Sequence, residues 1–121
     1  MNLSPEIEHA ARVLGQALRD QEATRLYLEA RRSVETDSEA VALEKEMYAT
    51  YEALIARQQA GEQIPRKEVE AFYAIRDRLF SDPLVMERES ALKPLKSLFL
   101  ETAEEISAPL GVDYTNLAKK G

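Results

Sequence analysis

The sequence predicts an all-α protein: about five helices arranged as antiparallel helical hairpins, with a long C-terminal helix, associating into a bundle. Three observations carry that prediction. Nearly every break in the chain is a helix start, at Ser4-Pro5, Asp37-Ser38, Ile64-Pro65 and Asp82-Pro83. Asp and Ser accept hydrogen bonds from the free amides of a first turn, and Pro fits the first helical position because the N–H it lacks would have no partner there. Between the breaks, apolar residues recur three and four positions apart, the spacing that lays them along one side of a helix. Only 4 Gly and few β-branched residues are left for tight turns and strands.

The first helix is predicted from about Pro5 to Arg19, with Ile7, Ala10, Ala11, Leu14, Ala17 and Leu18 on one stripe. Gly15 either weakens this helix or permits a close helix contact. Asp20 is expected to cap the next helix, which turns Ala23, Leu26, Tyr27, Ala30 and Val34 inward and carries a solvated basic edge at Arg25, Arg31 and Arg32. Asp37 or Ser38 opens a third helix that ends near Gly61. Its core line is Leu43, Met47, Leu54 and Ile55, widened by Tyr48 and Tyr51, which is more apolar surface than one antiparallel neighbour covers.

The polar stretch from Arg57 to Gln63 reads as an exposed hairpin tip with Gly61 as its C-cap. Pro65 starts a fourth helix, with Val69, Phe72, Tyr73, Ile75, Leu79 and Phe80 inward. The longest pattern runs from Pro83 to about Leu110. Val85, Leu92, Leu95, Phe99, Thr102 and Ile106 give it a coiled-coil-like seam, broadened by Leu84, Leu98 and Ala103. Pro94 deletes a backbone hydrogen bond within that run, so a kink or two abutting helices are expected there. Pro109 and Gly111 close the element, with Val112 and Tyr114 folding back onto it as an apolar tail.

At 121 residues the chain is expected to form a single helical domain over residues 1–121. Net charge is −6, from 16 basic and 22 acidic residues, and the acid is spread along the chain. No basic lobe is left to dock on a phosphate backbone, which argues against direct nucleic-acid binding. The chain has 0 Cys, which removes disulfides, thiolate metal sites and Cys nucleophiles and fits a cytoplasmic location. No apolar stretch reaches the length of a membrane span, and the acidic, capped N-terminus is unlike a signal peptide.

Nucleophilic catalysis of the Ser-His-acid type needs an imidazole beside a hydroxyl, and the single His, His9, lies near the N-terminus on a short helix and reads as a surface or half-buried structural residue. Glu6 and His9 form a Glu-x-x-His pair, the helical spacing that sets two metal ligands on one face; a bundle di-metal site needs two such pairs and two further Glu, so any site would be assembled across subunits. Glu101, Glu104 and Glu105 read as a solvated acidic edge, equally able to hold a basic partner. Arg31-Arg32, Arg66-Lys67 and Lys119-Lys120 are short basic pairs separated by acid. The predictions are therefore no catalytic residues, no metal ligands within one chain and no cofactor.

Tyr27, Tyr48, Tyr51 and Tyr73 combine apolar bodies with polar tips, which suits a core rim or a protein interface. So few helices cannot enclose the whole seam of the long final helix, and self-association along it is expected. The candidate protein interface is Tyr48, Tyr51, Leu92, Leu95, Leu98, Phe99 and Ile106.

With the helices laid out, the chain resembles the YlbF/YmcA family of small helical bacterial regulators, from Ala11 to Tyr114. The likeness begins with Ala11, Leu14 and Leu18, then Tyr27-x-x-Ala30, Val34 and Asp37-x-Glu39-Ala40. It continues through Gln58-x-x-Gly61 and Asp82-Pro83 to Leu95, Leu98, Ile106 and Pro109-Leu110-Gly111. None of these is a catalytic motif.

The resemblance implies a non-enzymatic, all-helical, self-associating protein. Better-known members act in multiprotein complexes that influence biofilm formation, competence and sporulation by steering an endoribonuclease toward messenger RNA processing. Iron–sulfur clusters reported in some members do not carry over, since no thiolate is present. The function implied is a regulatory adaptor that partners with itself and with other regulatory proteins. The alternative is a metal-binding helical bundle built across subunits through Glu6 and His9.

Overall fold

Ser4 receives the amide of Ile7 on its Oγ at 3.2 Å, and Pro5 follows it, so the first helix begins where the capping grammar places it. The computed structural model describes residues 2–120. Six helices account for 85% of them: α1 (Pro5–Arg19), α2 (Glu22–Glu35), α3 (Ser38–Gln59), α4 (Arg66–Phe80), α5 (Pro83–Leu110) and α6 (Tyr114–Lys120). Among the described residues there is no strand. The chain packs as two compact units, one of residues 29–90 and one of residues 1–28 with 91–121, so α2 and α5 each contribute to both.

The unit of residues 29–90 holds the main core. Asp37 opens α3 by accepting the amides of Glu39 and Ala40 on one carboxylate oxygen, at 3.0 and 3.2 Å. Asp82 repeats the device for α5, taking the amides of Leu84 and Val85 at 2.9 and 3.3 Å, with Pro83 at the first helical position. These two caps aim helices from both ends of the unit at one cluster: Val34 from α2, Ala40, Leu43 and Met47 from α3, Leu79 from α4 and Val85 from α5. Phe72, Ile75 and Leu84 pack against it.

The α3–α4 connection is an antiparallel hairpin closed by a Schellman turn. Gly61 has φ 86°, its N–H reaches the Gln58 carbonyl at 3.1 Å, and the Glu62 N–H reaches the Arg57 carbonyl at 3.0 Å. Gly takes that left-handed conformation without the Cβ clash other residues meet. Pro65 occupies the N-cap of α4, one residue before the helix it was expected to start. The expectation that α3 faces more than one neighbour holds: it supplies the central cluster and also lines a groove toward α4 with Leu54 and Ile55.

In the other unit the sequence reading needs several corrections. Asp20 does not cap α2. It closes α1: its N–H donates to the Gln16 carbonyl at 3.1 Å, the Gln21 N–H donates to the Leu18 carbonyl at 3.2 Å, and its carboxylate accepts from the Gln16 side-chain amide at 3.2 Å, and α2 restarts at Glu22. Leu26 lies on the exposed side of α2, and in the unit of residues 29–90 Phe80 does so on α4, because each falls outside the arc its neighbours bury. The α1 stripe buries no residue fully, and only Leu18 is half-covered. Nothing stands within 4 Å of a Cβ placed on Gly15, so no close helix contact is made there within the chain.

α5 runs unbroken through Pro94 rather than as two abutting helices. Pro94 and Ser90, whose carbonyl loses its donor, are both exposed, so that carbonyl is open to solvation and the helix continues at little cost. The expected apolar tail is instead a short helix, α6. The Tyr114 N–H donates to Ser107 Oγ at 2.9 Å, while Val112 and Tyr114 remain exposed.

Candidate interaction surfaces

Two faces of the α3–α4 hairpin carry the aromatic residues singled out from the sequence. On the first, Tyr51, Leu54 and Ile55 of α3 face Val69, Phe72 and Tyr73 of α4 across an open groove of about 610 Å³. Tyr51 and Phe72 ring centroids lie 5.8 Å apart and Phe72 and Tyr73 5.6 Å apart, tilted contacts that favour the edge of one ring over the face of the next. The Arg76 guanidinium stands 6.0 Å from the Tyr73 centroid.

Arg57 pins the tip of this groove. It lies 3.3 Å from Glu62 and 2.6 Å from Glu68, tying the turn to the first helical turn of α4. Hydrogen bonds to Glu62 and then Glu68 hold the Arg57 guanidinium above its ordinary pKa. The mouth of the groove is thus fixed by side chains rather than left to a loose loop.

On the second face Tyr48 sits over Val41 and Ala49 in a shallow hollow rimmed by Glu35, Glu44, Lys45 and Glu52. Two of these carboxylates are engaged, Glu35 with Arg31 at 3.3 Å and Glu44 with Arg88 at 2.9 Å. Arg25 likewise meets Glu22 at 3.8 Å, so the basic edge of α2 is partly neutralised by its own helix. Tyr48 and Tyr51 are 54% and 49% exposed and available for contact.

The α5 candidates separate by their place on the helix. Phe99 is 48% exposed, whereas Leu95 is buried and Leu92, Leu98 and Ile106 are half-buried. Of the seven sequence candidates, the two tyrosines belong to one unit and the five α5 residues to the other. Sequence reasoning passed over Leu100, which is more exposed than Phe99 and lies off the seam. Its signal was present in the pattern, as a large apolar residue one position outside the seam. Glu6 and His9 are both exposed on α1, and among the described residues no group of three metal-binding side chains forms. No helix among the described residues is long and apolar enough to cross a membrane.

The family model described as "Control of competence regulator ComK, YlbF/YmcA" matches residues 7–111, which is most of the chain. The chain therefore belongs to the YlbF/YmcA family. That membership supports a regulatory role. No curated protein and no solved structure matches the chain.

Proposed function

We propose that this YlbF/YmcA family member is a non-enzymatic cytoplasmic adaptor that regulates by associating with itself and with other regulatory proteins. Its process would be similar to that of the family's better-known regulators of biofilm, competence and sporulation, which are linked to endoribonuclease-directed messenger RNA processing. The observation that carries the reading is the exposure of large apolar side chains on helix faces, Tyr48, Tyr51 and Phe99 among them. Aromatic side chains left exposed on helix faces are of the kind that protein interfaces bury. Two ion pairs join helices around the hairpin, Arg57 with Glu68 and Arg88 with Glu44, and suit a bracing role.

Sedimentation of the wild type across a dilution series tests the reading, alongside Tyr48→Asp, Tyr51→Asp and Phe99→Asp. These positions are exposed, so the substitutions leave the fold in place; Leu95→Asp would instead disrupt a buried position. The expected result is an oligomer that dissociates on dilution and is weakened by at least one of the three changes. A wild type that stays monomeric at the highest soluble concentration overturns it.

A further inference from the structure

The outer side of α5 holds an exposed apolar residue between two charges that have no opposite partner on their own helix. Leu100 is 57% exposed. Lys96 lies one turn before it and Glu104 one turn after, and all three are exposed. At three and four positions from Lys96 stand Leu92, Lys93, Phe99 and Leu100; around Glu104 stand Leu100, Glu101, Ser107 and Ala108. None of these offers either residue an intrahelical ion pair. Lys93 shares the outer side with Leu100 and adds to the basic half. The strip is thus basic, then apolar, then acidic.

We propose that this strip is the contact between two copies of the chain, with α5 of one copy antiparallel to α5 of the other and the two-fold axis at Leu100. The inference rests on the self-associating reading above and names the surface responsible. A two-fold axis perpendicular to the helices places Leu100 against Leu100 of the second copy. It simultaneously brings Lys96 of each chain beside Glu104 of the other. A parallel pairing would set Lys96 against Lys96 and Glu104 against Glu104, so charge selects the antiparallel arrangement. The interface is isologous and closes on itself, giving a dimer rather than a filament. Phe99, exposed on the adjoining side, widens the apolar centre.

The contact is small. The strip from Lys93 to Ser107 is about 22 Å of helix at 1.5 Å per residue. One helix pair of that length falls short of the roughly 1,200 Å² buried in standard stable interfaces, so the dimer exchanges with monomer on dilution.

Charge reversal tests the geometry without disturbing the core. Lys96→Glu and Glu104→Lys should each weaken the wild-type dimer by about tenfold or more in sedimentation, because each places like charges together twice. An equimolar mixture of the two variants should dimerise again, since every contact in the mixed pair is then complementary. Leu100→Cys gives a second readout: the chain has 0 Cys, so mild oxidation should cross-link Leu100→Cys to itself but leave Lys93→Cys uncoupled. If the wild type dimerises but neither charge variant weakens it, or Lys93→Cys cross-links instead, the proposed pairing is wrong and self-association through another face survives. A wild type that never dimerises removes both this pairing and the function it rests on.

Discussion

The Arg88 guanidinium lies 2.9 Å from the Glu44 carboxylate, joining the start of α5 to the middle of α3 beside the main core. Their side chains are only 14% and 26% exposed, so this pair is far less screened than the surface pairs of the molecule. Burial works against the Arg88 cation, but hydrogen bonds and charge from Glu44 and then Glu89 outweigh it, and the pKa is held above the ordinary guanidinium value. A raised pKa in a cation means its contribution is complete across the working pH range and fades only at strongly alkaline pH.

Removing one partner should therefore matter more here than anywhere else among the ion pairs. Arg88→Met is expected to cost about 2 kcal/mol in urea unfolding, leaving Glu44 partly buried without its partner. A double-mutant cycle with Glu44→Gln should give a coupling of about 1 kcal/mol. The same cycle on Arg66 and Glu70, 3.1 Å apart but open to solvent, should give roughly 0.3 kcal/mol. Equal couplings for the two pairs would contradict the role assigned to Arg88.

Asp82 holds two amides at the start of α5. Asp82→Ala should lower stability by about 1 kcal/mol, whereas Asp82→Ser should lose only part of that, because Ser still accepts a hydrogen bond at the cap. Thermal unfolding followed by circular dichroism resolves the two.

Gly61 closes the α3–α4 turn with φ 86°, and nothing lies within 4 Å of a Cβ placed there. Gly61→Ala meets no neighbour and should still cost about 1 kcal/mol, entirely from backbone strain in the left-handed region. A neutral outcome in equilibrium unfolding would show that the turn relaxes to another form.

Thr24 Oγ1 is buried with no hydrogen-bond partner. Thr24→Val keeps the side-chain shape and removes the unpaired hydroxyl, so it should raise stability by about 1 kcal/mol. Loss of stability on that change would mean the hydroxyl has a partner in solution.

The first five helices are local decisions legible in the residues, whereas α6 stands where an apolar tail was expected. Ser4-Pro5, Asp37 and Asp82-Pro83 start helices where their caps reach the next amides, and Gly61 ends one because few other residues tolerate its φ. Family membership was legible too, as an order of caps, tips and small apolar residues along the chain. Where a cap could serve either of two adjacent helices, local reasoning chose wrongly: Asp20 closes α1 instead of opening α2.

Which apolar residues are covered was decided only by tertiary structure. Ile7 and Leu14 follow the helical spacing as faithfully as Val34 and Leu43, yet the first two are exposed and the second two are buried. Periodicity defines a stripe but not what packs on it, because burial depends on neighbours brought in from distant parts of the chain. The same holds for Leu100, which lies outside the seam by spacing and gains its meaning from Lys96 and Glu104 on either side. Pro94 illustrates the reverse case: a residue that should interrupt a helix is tolerated because its turn faces water.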